Sequence, residues 1–234
     1  MKILAVDSTT EFCSVALLDS ETNLLVSEVE QAPRQHSQRL LSMVDQLLAQ
    51  QACTLSELSA IAYGKGPGSF TGLRICLGLV QGLAFGANLP VVPISSLAAL
   101  AQAAIDQHLN RQGLPIVAAL DARMDEIYWG VFSAKEGMVT ALGEEGLSSP
   151  EASYHEFSPL LPAEAFLAVG SGWQYQQRMT LPSTRVVVEG VYPQAAAIAK
   201  LAAKAFVDGE FCSADQAQPT YLRDQVTWKK IAEQ

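Results

Sequence analysis

The chain has 234 residues, 49% hydrophobic and 17% charged, which is ample for one large or two small cores and too apolar for intrinsic disorder. Its 24 carboxylates outnumber its 15 lysines and arginines, giving a net charge of −9; without a basic run, unaided binding to nucleic acid is excluded, because displacing counterions from phosphates takes clustered cations. Four scattered cysteines, Cys13, Cys53, Cys76 and Cys212, form no CxxC pair, which excludes a zinc ribbon and predicts buried, reduced thiols.

The opening MKILAVD reads as a buried strand, and Asp7 interrupts it too early for the apolar segment of a signal peptide. Phe12 to Asp19 and Thr22 to Gln31 read as second and third strands joined by short polar turns, so the chain opens as a meander. Beyond Pro33, the positions Leu40, Leu41, Val44, Leu47 and Leu48 recur at helical spacing. Ile61 to Tyr63 is a strand running into the glycine-rich GKGPGSFTG, and a helix follows that Asn88 and Pro90 end. Val91 to Ile94 is a strand, after which Ser95 or Ser96 caps a helix reaching about Gln107. The longest apolar run, Ile75 to Leu89, falls short of the ~18 residues that span a bilayer, so a cytoplasmic protein with no membrane contact is expected.

The second half opens as the first does. Pro115 to Asp121 is a strand ending in Asp, followed by strands at Glu126 to Ser133 and Met138 to Leu142. The Ser-, Glu- and Pro-rich stretch from Gly143 to Pro162 reads as irregular. Phe166 to Val169 is a strand entering Gly170-Ser171-Gly172, Arg185 to Val188 is another, and Pro193 to Val207 is an alanine-rich helix stopped at Gly209. The tail AQPTYLRDQVTWKK reads as extended. The expected architecture is α/β with two lobes, each a mixed sheet with flanking helices, divided as 1–105 and 106–234, the tail packing back on the first lobe.

Two lobes that each open with strand, Asp and hairpin resemble the actin-like ATPase (ribonuclease H-like) superfamily, in which these turns grip nucleotide phosphates. On that resemblance Asp7, Ser8, Thr9 and Thr10, with Gly170 and Gly172, are the candidate nucleotide-binding residues, of a vestigial kind. Neither Asp7 to Thr10 nor Asp121 to Asp125 contains the glycine that close backbone approach to phosphate usually needs. The alternative is that Asp7 and Asp121 only cap their turns.

The most specific signal is GPGSFTGLR (residues 66 to 74) entering a helix. It is not a Walker A loop, since no Lys-Ser/Thr pair has the required spacing. Together with the DSTT of residues 7–10, the LDARMDEIYWGVF opening of the second half and the tail PTYLR, it resembles the bacterial TsaB (YeaZ) family over essentially the whole chain. The resemblance implies a required, non-catalytic subunit of the machinery that makes N6-threonylcarbamoyladenosine in tRNA. The implied partners are TsaD, which carries the metal and the transfer chemistry, and TsaE. It also implies a homodimer when alone, contact with tRNA only through the complex, and no cofactor of its own, any ATP or ADP being bound only with the partner. Pairing in the family uses the first-lobe helices, which places His36, Leu40, Leu41, Arg74, Gly78, Gly82 and Gly86 at the interface. Cys76 stands where the family commonly has glycine and Gln81 where it commonly has lysine.

The glycines support that assignment independently. Gly78, Gly82 and Gly86 share one helix face, and each costs roughly 1 kcal/mol inside a helix, so close packing, within the lobe or against another molecule, must offset them. Catalytic alternatives find little footing. His36, His108 and His155 are far apart with no HxxxH or HExxH, which leaves a glycoprotease-like peptidase without metal ligands. No GxSxG elbow is present either. A kinase-like ATPase would need Asp7 or Asp121 as a metal-holding carboxylate beside a phosphate cradle.

Overall fold

The computed structural model describes residues 1–110, 112–182 and 185–223. The chain forms two sheets of the same topology. In the first, β1 (Lys2–Asp7), β2 (Phe12–Asp19) and β3 (Leu24–Gln31) pair antiparallel, and β4 (Ala60–Gly66) and β5 (Val91–Ser95) add in parallel beyond β1, in the order β3-β2-β1-β4-β5. In the second, β6 (Ile116–Arg123), β7 (Glu126–Lys135) and β8 (Met138–Ala141) form the meander and β10 (Leu167–Val169) and β11 (Val186–Val188) the parallel extension. The expected architectural repeat is therefore present, strand for strand. A short β9 (Gly146–Ser148) also pairs with β7.

The burial of β1 follows from its position. It is central, helices cover both faces, and its sequence reads as a continuous apolar run rather than an alternation. Successive residues still go to opposite faces. Leu4 and Val6 meet an outer core with helix α1 (His36–Gln50) and helix α2 (Phe70–Ala87), while Ile3 and Ala5 meet an inner core. On the inner side Ala5, Ala16, Ala60 and Ala62 face helix α5 (Ala195–Val207), whose Ala195, Ala197, Ala199 and Ala202 are buried. Small residues on both surfaces allow close approach of helix and sheet. The expected boundary near residue 105 is not a packing boundary. Helix α3 (Ser96–Asp106) packs on β6, β7 and β8, and α5 packs on β1, β2 and β4, so each sheet is covered by a helix from the other half and one inner core serves both.

The stretch expected to be irregular instead holds β9 and helix α4 (Pro150–Phe157), which is capped by Ser149 with Pro150 at its first position. Phe157 anchors α4 among Phe166, Trp129 and Trp173, beneath the second sheet. Helix α2 ends as expected, with Asn88 left-handed at φ 53° ahead of Pro90, and Ser95 rather than Ser96 caps α3. The chain then returns to the first lobe: Cys212 bridges to Val91, Tyr63 Oη donates to Gln218 O (3.0 Å), and Thr220 N donates to Lys65 O (2.7 Å). The last part of the tail, residues 224–234, lies outside the described residues.

Candidate functional site

The first turn and the glycine-rich loop pack into one another. Thr9 N and Oγ1 both donate to Asp7 Oδ2 (3.3 and 3.1 Å), making the i to i+2 turn that an aspartate favours. Ser69 N donates to Thr9 O (2.8 Å) and Ser8 Oγ to Gly72 O (3.0 Å). A Cβ on Gly68 would lie 2.5 Å from Thr9 O, and one on Gly72 2.0 Å from Ser8 O, so the loop needs glycine to close over the turn.

Asp7, Ser8 and Thr9 are fully buried, and Thr10 is half-buried with its Oγ1 accepting from Phe12 N (3.3 Å). Of the expected nucleotide-binding residues Asp7, Ser8, Thr9 and Thr10, the first three have their side chains enclosed in the fold, and the chain's own glycine-rich loop packs on Thr9 O. Burial lifts the Asp7 carboxyl to about 7, against the opposing pull of its Thr9 hydrogen bonds. Its Oδ1 has no hydrogen-bond partner among the described residues.

The second turn repeats the motif. Arg123 N donates to Asp121 Oδ1 (2.9 Å), Tyr175 Oη donates to the same oxygen (3.3 Å), and Arg123 Nη1 pairs with Oδ2 (2.9 Å). Both aspartates thus cap their turns. Gly170 and Gly172 press against β6: a Cβ on Gly170 would fall 2.2 Å from Ala119 O, and one on Gly172 2.8 Å from Ala119 Cβ. Gly170 also lines a cleft of about 290 Å³ with Trp173, Val187, Glu189 and Tyr192.

The outer helices give the opposite picture. Leu73, Cys76, Val80 and Ala84 of α2 are buried against the sheet. A Cβ on Gly78, Gly82 or Gly86 meets nothing within 4 Å. Packing within the lobe therefore does not account for these glycines. Phe85 beside them is 82% exposed and Leu41 of the neighbouring α1 is 47% exposed. Leu40 is a correction: it is 1% exposed and packs inward with Val44 and Leu47, so it supports the helix rather than facing a partner.

His36 is half-buried with Nε2 2.9 Å from Thr10 O, tying the start of α1 to the first turn. The two departures from the family pattern also point away from the open face. Cys76 is buried with Sγ 3.4 Å from Val6 O, and Gln81 Nε2 donates to Ala217 O (3.1 Å) in the returning chain. Among the described residues α2 is the one helix long and apolar enough to cross a bilayer by composition. One buried face and one open glycine face account for that composition.

Comparison with known proteins matches residues 29–218 to the TsaD family, described as tRNA N6-adenosine threonylcarbamoyltransferase. The tRNA threonylcarbamoyladenosine biosynthesis protein TsaB of Escherichia coli K12 is 39% identical over 99% of this chain and 98% of its own. The protein of the same name from Haemophilus influenzae is 38% identical over 99% and 97%. Among solved structures, YeaZ from Pseudomonas aeruginosa superposes with a TM-score of 0.85 at 40% identity, covering 94% of this chain and 99% of that one. With agreement over nearly the whole length in both sequence and fold, the chain belongs to the TsaB family of tRNA threonylcarbamoyladenosine biosynthesis proteins.

Proposed function

We propose that this chain is a non-catalytic subunit of the tRNA threonylcarbamoyladenosine machinery that docks its α1–α2 face on a TsaD-type transferase. The observation that carries the reading is the open face of Gly78, Gly82 and Gly86. Three glycines on one exposed helix face weaken the helix without filling any space in the lobe. A second helix laid along that face would recover the loss through close backbone approach. The half-exposed Ile75, Leu79 and Leu83 and the exposed Leu41 and Phe85 give such a contact its apolar area.

On this reading TsaE joins the assembled complex, the same face pairs two copies when the partner is absent, and tRNA is reached through the complex in the cytoplasm. The chain carries out neither peptidase nor ATPase chemistry. A kinase-like role would need Asp7 or Asp121 open to a metal-bound nucleotide; Asp7 is fully buried, and Asp121 is engaged by Arg123 and Tyr175. Any ATP or ADP is bound only at a surface completed by the partner.

The test is Gly82→Leu. Its side chain enters open space in the free chain and blocks helix approach in a complex. Loss of pairing with TsaD by a variant that melts at or above the parent's temperature supports the role, and wild-type pairing rules the face out.

A further inference from the structure

Helix α2 carries a single charged side chain, Arg74. Its guanidinium lies over the Phe70 ring, Cζ 3.3 Å from the centroid, and Tyr221 flanks it at 5.6 Å. The two rings are 5.7 Å apart and both open to solvent, Phe70 at 56% and Tyr221 at 42% exposure. Tyr221 is brought there by the returning chain, which is held at three points: Gln81 to Ala217 O, Tyr63 to Gln218 O, and Thr220 N to Lys65 O. A Cβ on Gly66 would lie 2.8 Å from Thr220 O, so the returning chain sits tightly on the glycine-rich loop.

Stacking uses one face of the guanidinium and leaves its N–H edge free for a planar, two-oxygen acceptor. Among the described residues no ion pair includes Arg74, Arg34, Lys65, Lys135 or Arg185, and of these Arg74 alone lies on α2. If the α2 face is covered, Arg74 is desolvated, and a desolvated cation is tolerated only beside an anion.

We propose that the Phe70–Arg74–Tyr221 stack is the polar anchor of the α2 face and takes a side-chain carboxylate of the partner protein, presented within an otherwise apolar helix surface. This rests on the docking role proposed above and adds what selects the partner. Charge favours a protein carboxylate over a nucleic-acid phosphate. Holding a polyanion takes several cations together, and α2 supplies one in a chain with a net charge of −9.

The experiment is calorimetric titration of the full-length chain with its TsaD partner, comparing Arg74→Glu, Arg74→Lys, Tyr221→Ala and Gly82→Leu after thermal melts show that each is folded. Arg74→Glu is expected to raise Kd by about 100-fold or more, as breaking one side of a desolvated charge pair does. Arg74→Lys should raise it about 10-fold, because an ammonium keeps the charge but has neither the planar fork nor the stack. Tyr221→Ala should give a smaller increase. If Arg74→Glu binds within twofold of the parent while Gly82→Leu does not bind, the anchor is overturned and the docking face survives. If both bind as the parent does, the face and the anchor fall together. Binding of tRNA to the chain alone that is lost in Arg74→Glu would overturn the carboxylate in favour of phosphate.

Discussion

A Cβ placed on Gly64 would lie 2.1 Å from Asp7 Oδ1. The strand that leads into the glycine-rich loop thus presses its bare backbone against the buried Asp7 carboxyl. Gly64→Ala forces Asp7 or β4 to move within a filled core, at a cost of about 2–3 kcal/mol. Urea titration checks this. An unchanged midpoint would mean that the turn is looser than the packing implies.

Asp7 makes stability depend on pH. Its carboxyl ordinarily titrates at 3.8 and here at about 7, so the folded chain holds a proton that the unfolded chain releases. That contribution is complete below about pH 4 and is lost as pH rises to about 7. Asp7→Asn cannot ionise. Its stability relative to the parent should therefore rise by roughly 2–3 kcal/mol between pH 5 and pH 8. Melts at the two pH values measure it, and a difference that does not change with pH would mean the buried carboxyl is not the titrating group.

Gly82→Ala separates folding from docking. The added methyl meets nothing and improves helix propensity, so the free chain should gain about 0.5–1 kcal/mol while its affinity for TsaD falls. Gain in one assay and loss in the other is the mark of glycine kept for contact. Equal affinity with raised stability would leave the glycines unexplained.

The returning chain should hold the second-lobe hairpin as well. Arg223 bonds Glu126 and Arg123 O, at a turn where Arg123, Met124 and Asp125 all have left-handed backbone, φ 61°, 57° and 59°. That conformation costs a non-glycine residue roughly 1–2 kcal/mol. Arg223→Ala should therefore speed amide exchange at residues 123–126 and leave β1 protected. Uniform acceleration across the fold would mean that the contact supports global stability instead.

Much of this was legible from residue spacing. Strand positions, the helix after GPGSFTG with its Asn88 and Pro90 stop, and the repeated opening all follow from local pattern. Leu40 and Leu41 are not separated by spacing, since Leu40 shares a helix face with Val44 and Leu47 and Leu41 shares one with Val44 and Leu48; only the fold shows Leu40 buried and Leu41 exposed. Ser149-Pro150 is a helix-start signal that the surrounding Ser, Glu and Pro obscure. Two features have no local signature. The sealing of Asp7 depends on a loop more than fifty positions away folding back upon it. The exchange of α3 and α5 between sheets depends on matched alanine surfaces that meet only in the folded chain. The glycine face lay between these cases: spacing placed three residues together, and the empty space around them excludes close packing within the lobe.

The most direct measurement is reconstitution of tRNA modification from TsaD, TsaE, tRNA, ATP and threonylcarbamoyl-adenylate, with this chain present, absent, or replaced by Gly82→Leu. Modified nucleoside is predicted only with the parent chain, which alone should turn over neither ATP nor peptide. Equal modification in its absence, or ATP turnover by the chain alone that Asp7→Ala abolishes, would contradict the role of a required, non-catalytic partner.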